Sequence, residues 1–357
     1  MRIGIDAREL GGHVTGVGRY LAGLLREWSA PASPHEFVLY AAEAISIPLD
    51  VRRFHQRVIP GPAGTWWEQV KLPQSLARDH LDVFFAPAYT APLRLAVPCV
   101  LTIHDVSFAA HPEWFRLREG LRRRWLTRQS ALRARAVVTV SQFSRREIIE
   151  HLQIPEAHVH VIPQGIDRPP LQAAAHDETR LLFVGSILNR RHVPELIRAV
   201  QRLARSRPDV TLDLVGDDRS FPPEDVGALI SYLGLEGRVR WHRYVTDEQL
   251  RALYANARAF AFLSEYEGLG MTPLEALASG VPPVLYDTPV ARESCGDAAF
   301  YVPIGDRAAL LAGLERVLFD DATRRSVMAA APLTLARYEW PRAARDTLAL
   351  LESSGDF

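Results

Sequence analysis

The chain has 357 residues, enough for two domains of ordinary size. Lys+Arg and Asp+Glu are both 42, which excludes a global basic field for nucleic acid. Hydrophobic content of 48% and charged content of 24% are those of a soluble globular protein, with no apolar run of transmembrane length. Met1–Asp6 reads as a strand start rather than a signal peptide. Cys99 and Cys295 lie in different halves, forming neither a disulfide framework nor a zinc site, and fit a reducing cytoplasm. Lysine is confined to Lys71, so arginine in place of lysine is a habit of this sequence.

Strand and helix patterns alternate throughout, which predicts parallel sheets in an α/β architecture. Arg2–Asp6 is the first strand. Glycines follow at Gly11, Gly12, Gly16 and Gly18, then a helix from about Tyr20 to Trp28. Further strands are predicted at Phe37–Tyr40, Val83–Ala86, Cys99–Ile103, Ala136–Val140 and Val159–Ile162. Turn formers from Pro163 to Pro170, and a polar, alanine-rich stretch to Thr179, mark a linker. A second series runs through Arg180–Gly185, Val210–Gly216, Val239–Trp241, Ala259–Leu263 and Val284–Tyr286, the last strong strand. The end is helical around Arg342–Leu351. Ligands in open α/β sheets bind at the carboxyl ends of the strands, so the residues there are the candidates for a site.

The segment Glu265–Gly280 is the most informative. After the strand comes a glycine-flanked turn and then a helix start with Thr272 as N-cap, Pro273 at the first helical position and Glu275 at the third. Gly280 and Pro282-Pro283 end that helix. Free backbone N–H groups at such a terminus favour phosphate, and Gly268 and Gly270 allow close approach. Glu267 and Glu275, eight residues apart, suit neutral hydroxyls. A nucleotide sugar offers a diphosphate and hydroxyls together. The plainer alternatives are a capping box for Glu275 and a solvated loop acid for Glu267.

Glu267-Gly268-Leu269-Gly270-Met271-Thr272-Pro273-Leu274-Glu275 resembles the E-x(7)-E motif of retaining glycosyltransferases of family 4. The resemblance implies the GT-B fold, with two Rossmann-like domains facing each other across a cleft. It implies Glu267 by the donor sugar, Glu275 on the ribose hydroxyls, and amides near Met271 and Thr272 on the diphosphate. It also suggests that the tail crosses back to the first domain. The expected domains are 1–168, for the acceptor, with a crossover helix at about 341–357, and 176–340, for the nucleotide sugar.

Three other stretches fit. Gly185-Ser186-Ile187-Leu188-Asn189-Arg190-Arg191 follows a strand, and an arginine pair before a helix is electrostatically poor unless an anion sits there. The family usually has Arg-Lys here, with the lysine on the diphosphate; Arg191 keeps the charge and changes the geometry. Thr15-Gly16-Val17-Gly18-Arg19-Tyr20 fails as a dinucleotide fingerprint because Leu21 occupies the third glycine position. It resembles the glycine loop of bacterial mannosyltransferase-like members, where Gly16 and Gly18 face the donor phosphate. His104-Asp105 ends a strand and matches the family pattern in which the histidine borders the reacting sugar; a structural histidine is the alternative.

The resemblance implies a retaining hexosyltransferase, with mannose favoured, acting on a saccharide or lipid-linked acceptor in cell-surface polysaccharide or lipopolysaccharide biosynthesis. His104, Glu267, Arg190 and Arg191 are the expected catalytic residues. Gly16, Gly18, Gly185, Tyr244, Val245, Gly268, Leu269, Gly270, Met271, Thr272 and Glu275 are the expected donor contacts. No metal or other cofactor is expected, and no nucleic acid. A cytoplasmic location follows, with peripheral membrane contact open. Trp66, Trp67 and Tyr89 read as sugar-facing or as buried aromatics. The arginine-dense Arg116–Arg135, with Leu121, Trp125 and Leu132, reads as a contact for anionic lipid or as a solvated helix face. A non-catalytic nucleotide-binding subunit, an epimerase and a phosphorylase are the competing readings.

Overall fold

The structure is a computed structural model and describes residues 1–12, 16–30, 34–47, 49–169 and 179–355. Thr15 of the first glycine loop and residues 170–178 of the predicted linker lie outside the described residues. The chain forms two compact units. One comprises Met1–Pro112, Leu117–Gly165 and Tyr338–Phe357; the other comprises Glu113–Arg116 and Ile166–Arg337.

The first unit holds a seven-stranded parallel sheet. Its strands are β1 (Arg2–Asp6), β2 (Glu36–Ala41), β3 (Phe54–Val58), β4 (Val83–Ala86), β5 (Cys99–Thr102), β6 (Ala136–Thr139) and β7 (Val159–Val161). Their order is β3-β2-β1-β4-β5-β6-β7. The central strands are apolar runs buried on both faces, as parallel strands covered by helices must be. The helix Gly16–Trp28 buries Tyr20, Leu21, Leu24, Leu25 and Trp28 against this sheet. It starts four residues before the predicted Tyr20, so Gly16 and Gly18 are its first turn rather than a loop feeding it. The helix Trp340–Gly355 closes the same core. Trp28 Nε1 donates to Ala344 O at 3.0 Å, and the Trp340 indole lies where a Cβ on Gly23 or Gly165 would be, 2.4 and 2.3 Å away.

The second unit holds a six-stranded parallel sheet of β8 (Arg180–Val184), β9 (Thr211–Val215), β10 (Val239–His242), β11 (Ala259–Phe262), β12 (Pro283–Tyr286) and β13 (Phe300–Val302). Their order is β10-β9-β8-β11-β12-β13. In each sheet the order reverses beside the first strand, between β1 and β4 and between β8 and β11. Connections leave such a pair in opposite directions and open a crevice at the strands' carboxyl ends. Two strands escaped prediction, β3 and β13. Both are at sheet edges; β3 exposes most of its residues and β13 is three residues long, so neither carries a buried apolar run. Among the described residues no helix is long and apolar enough to cross a membrane.

Candidate functional site

In the second unit the two loops at the reversal carry the predicted residues. β8 runs into Gly185–Arg191 and β11 into Leu263–Gly270. Gly185 has φ +144° and Gly216, after the neighbouring β9, has φ +140°. A Cβ on Gly216 would stand 2.1 Å from Gly185 O, and one on Gly185 would stand 2.7 Å from Arg191 Nη1. The backbones touch here because neither residue has a side chain.

That contact sets Arg191 across from the glutamate loop. Arg191 Nε donates to Glu267 Oε1 at 2.7 Å and Nη1 donates to Ser186 O at 2.9 Å. Ser264 Oγ donates to the same Glu267 oxygen at 2.8 Å. Both charged side chains are largely buried, 14 and 16% exposed. Burial alone would raise the Glu267 carboxyl, but the Arg191 and Arg190 guanidiniums outweigh it, and the carboxyl ends below its ordinary 4.5. Glu267 is therefore an ionised acceptor at neutral pH. Arg190 Nε donates to Tyr266 O at 3.1 Å, and Glu265 N donates to Arg190 O at 3.0 Å, so the two loops are stitched in both directions.

His192 completes the seam. It has φ +47°, unusual for a residue with a side chain, and precedes the helix Val193–Ser206. Its Nε2 bonds Glu265 Oε1 at 2.7 Å, and Glu195, 3.8 Å from its Nδ1, accepts from Tyr286 OH at 2.8 Å. Sequence reasoning did not single out His192, Glu265, Ser264 or Gly216. Only Gly216, a glycine closing a strand, carried a local signal; the others are set by what lies across the sheet.

The helix after the glutamate loop begins earlier than predicted. It spans Met271–Ala278, with Gly270 at φ +83° as its cap. Thr272 is not the N-cap, Pro273 is third rather than first, and Glu275 is fifth. The left-handed turn at Gly270 lets the helix start at once, which overrides the local preference of Thr272 and Pro273. No Thr272–Glu275 capping box forms. Thr272 Oγ1 is buried with no hydrogen-bond partner among the described residues, and Glu275 Oε2 accepts from Tyr254 OH at 3.2 Å. The helix ends as predicted at Gly280: Gly280 N donates to Leu277 O and Val281 N to Ala276 O, the paired bonds of a Schellman end. Gly268 and Leu269 belong to the same loop, with Leu269 buried, and Tyr244 and Val245 lie on the connection from β10 to the helix Asp247–Asn256.

The remaining predicted residues belong to the first unit. His104 follows β5, and its Nε2 lies 2.9 Å from Pro87 O. A carbonyl only accepts, so Nε2 carries the proton and Nδ1 is the acceptor of the neutral ring. Burial holds the ring below its ordinary 6.5 despite the Pro87 carbonyl and Asp105. Tyr20 and Tyr89 flank it at 4.9 and 5.7 Å between ring centres. At the end of β1, buried Asp6 and Glu68 hold Arg8 at 2.6 and 3.3 Å. Trp67 is buried and donates to Ile59 O, whereas Trp66 is exposed. Cys99 and Cys295 are buried and free.

Two family models divide the chain between them. "Glycosyltransferase Family 4" matches residues 14–169 and "Glycosyl transferases group 1" matches residues 169–333. The chain belongs to glycosyltransferase family 4. It is similar to the O-antigen chain mannosyltransferase B of Escherichia coli, 29% identical over 76% of this chain and 74% of the relative. It is also similar to the MMP alpha-(1->4)-mannosyltransferase of Mycolicibacterium hassiacum, 29% identical over 73% of this chain and 66% of that protein. Among solved structures, sucrose-phosphate synthase from Thermosynechococcus elongatus superposes with a TM-score of 0.80 at 17% identity, over 99% of this chain and 98% of that one. Anabaena Alr3699/HepE in complex with UDP-glucose gives 0.77 at 19% identity, over 99 and 100%. The fold of this glycosyltransferase is therefore GT-B.

Proposed function

We propose that this glycosyltransferase moves a hexose, mannose in the first place, from a nucleotide diphosphate sugar to a saccharide or lipid-linked acceptor, with retention at the anomeric carbon, in cell-surface polysaccharide synthesis. The observation that carries the reading is the Arg191–Glu267 pair at the β8/β11 reversal, beside Arg190 and the start of the helix Met271–Ala278. Guanidiniums and a helix N-terminus complement a diphosphate, and an ionised carboxylate accepts from sugar hydroxyls. Mannosyltransferases among the similar proteins support the sugar. The GDP-mannose:cellobiosyl-diphosphopolyprenol alpha-mannosyltransferase of Xanthomonas oryzae, 28% identical over 57% of this chain and 52% of that protein, supports a lipid-linked acceptor.

In this reading the acceptor oxygen bonds to the anomeric carbon on the face from which the diphosphate departs. The bond to the diphosphate breaks, and the acceptor proton passes to the departing phosphate oxygen. Arg190, Arg191 and the amides at Met271 and Thr272 stabilise the charge that develops there. These groups replace a metal ion, so turnover should survive a chelator. Glu275 takes the ribose hydroxyls, Tyr244 and Val245 border the base, and neutral His104 contacts the acceptor side. Buried free thiols suit a reducing cytoplasm.

The test is donor binding and hydrolysis across GDP-, UDP- and dTDP-sugars. One activated sugar should bind selectively, and Glu275→Ala and Arg191→Ala should weaken it. Wild-type affinity for every nucleotide sugar in both variants would overturn the assignment.

A further inference from the structure

One face of the first unit exposes apolar side chains that its core does not use. The helix Leu117–Arg133 turns Gly120, Leu126, Thr127, Ser130 and Ala131 inward. At about 100° per residue, Leu117, Leu121, Trp125 and Leu132 fall within about 80° of one another on the opposite side. Their exposures are 73, 59, 58 and 39%. A second segment joins them: Trp66 is 61% and Val70 38% exposed. It is tied to the helix where Arg122 Nη1 donates to Thr65 Oγ1 at 2.6 Å, and where Gln69 Nε2 and Ser130 Oγ both donate to Ala91 O. Of the twelve large hydrophobic side chains exposed among the described residues, these two short segments hold six. Single exposed hydrophobics are ordinary, but a cluster is not.

The rim of the cluster is basic. The helix carries Arg118, Arg122, Arg123, Arg124, Arg128 and Arg133 against one acid, Glu119, which pairs with Arg123 at 2.6 Å. Lys71 Nζ lies 5.3 Å from the Trp66 ring centre. In a chain of zero net charge this is a local positive field. An apolar stripe bearing tryptophan and leucine, with arginines on its flanks, matches a surface that is apolar below and negative above.

We propose that this face is the seat on which the enzyme rests on an anionic lipid bilayer, with Leu117, Leu121 and Trp125 entering the headgroup layer and the arginines meeting lipid phosphates. The proposal deepens the acceptor reading: an enzyme held at a bilayer meets an acceptor carried in it. It does not depend on the donor site, and its test contains no donor.

The experiment is co-sedimentation of the full chain with vesicles of phosphatidylcholine alone, or with about 30% phosphatidylglycerol. The protein should sediment with the anionic vesicles only, and raising salt from about 50 to about 500 mM should release it. Leu121→Ser with Trp125→Ser should weaken vesicle binding about tenfold, with the unfolding midpoint unchanged. Arg118→Glu, which leaves the apolar stripe intact, should weaken it about tenfold as well. Equal binding to neutral vesicles, no binding to anionic ones, or unchanged binding by both variants would overturn the proposal. So would a dimer in light scattering that the Leu121/Trp125 variant dissolves, since a second copy would then cover the face. Failure of nucleotide-sugar binding would leave the vesicle result standing, and the reverse holds too.

Discussion

The carboxyl edges of the two sheets are built alike and equipped differently. Both reverse strand order beside their first strand. At the second sheet that edge holds an ionised carboxylate, two guanidiniums and a glycine-capped helix start. At the first sheet the charges at the end of β1 are consumed internally, Arg8 by Asp6 and Glu68, and the prominent group is a neutral histidine between tyrosines. One topology thus serves an edge suited to an anion and an edge suited to uncharged hydroxyls. Chemistry resides in the loops, not in the fold.

The largest expected effect tests the charged edge. Arg191→Ala and Glu267→Ala should each lower kcat/KM by about 100-fold or more, and the double variant should fall little further because the two act as a unit. Steady-state kinetics with the preferred donor decide it; a single variant within about threefold of wild type breaks the contrast between the edges. Next comes the backbone contact beneath that edge. Gly216→Ala should cost about 2–3 kcal/mol in urea unfolding, since its Cβ would meet Gly185 O. An unchanged midpoint would mean that the contact is not needed.

The neutral edge is probed by pH. Burial lowers the folded-state pKa of His104 below 6.5, so the unfolded chain takes up that proton first as pH falls. The contribution of His104 to stability is complete above about 6.5 and is lost as pH falls through the folded pKa. His104→Gln should reduce the loss of stability as pH falls below about 6.5; identical slopes in both proteins would contradict a neutral buried ring. The smallest effect is at the seam. Asn tolerates a positive φ, so His192→Asn should change stability by about 0.5 kcal/mol or less. It should nonetheless raise the donor KM about threefold through loss of the Glu265 contact. A variant with unchanged KM would make His192 merely structural.

The alternation of apolar runs was enough to read an α/β protein, because strands buried on both faces must be apolar throughout. It failed for β3 and β13, whose edge positions lift that demand. The glutamate loop was conspicuous because its glycines, carboxylates and helix end lie within one short stretch. Its helix start was misplaced by two residues, since the left-handed turn at Gly270 outweighed the capping preferences of Thr272 and Pro273. The helix Gly16–Trp28 was begun too late for a related reason: glycines read as loop when a sheet to pack on is not in view.

What the sequence determined by itself was local: which segments are strands, the edge strands β3 and β13 apart, where glycine permits a turn, and which charged residues stand next to those turns. What the tertiary structure decided was partnership. Arg191 meets Glu267 and His192 meets Glu265 across more than seventy positions of chain, only because β8 and β11 pair at the point where the strand order reverses. Hydrogen bonds and ion pairs depend on distance in space. Local pattern sets each residue's character, and the sheet sets its neighbour.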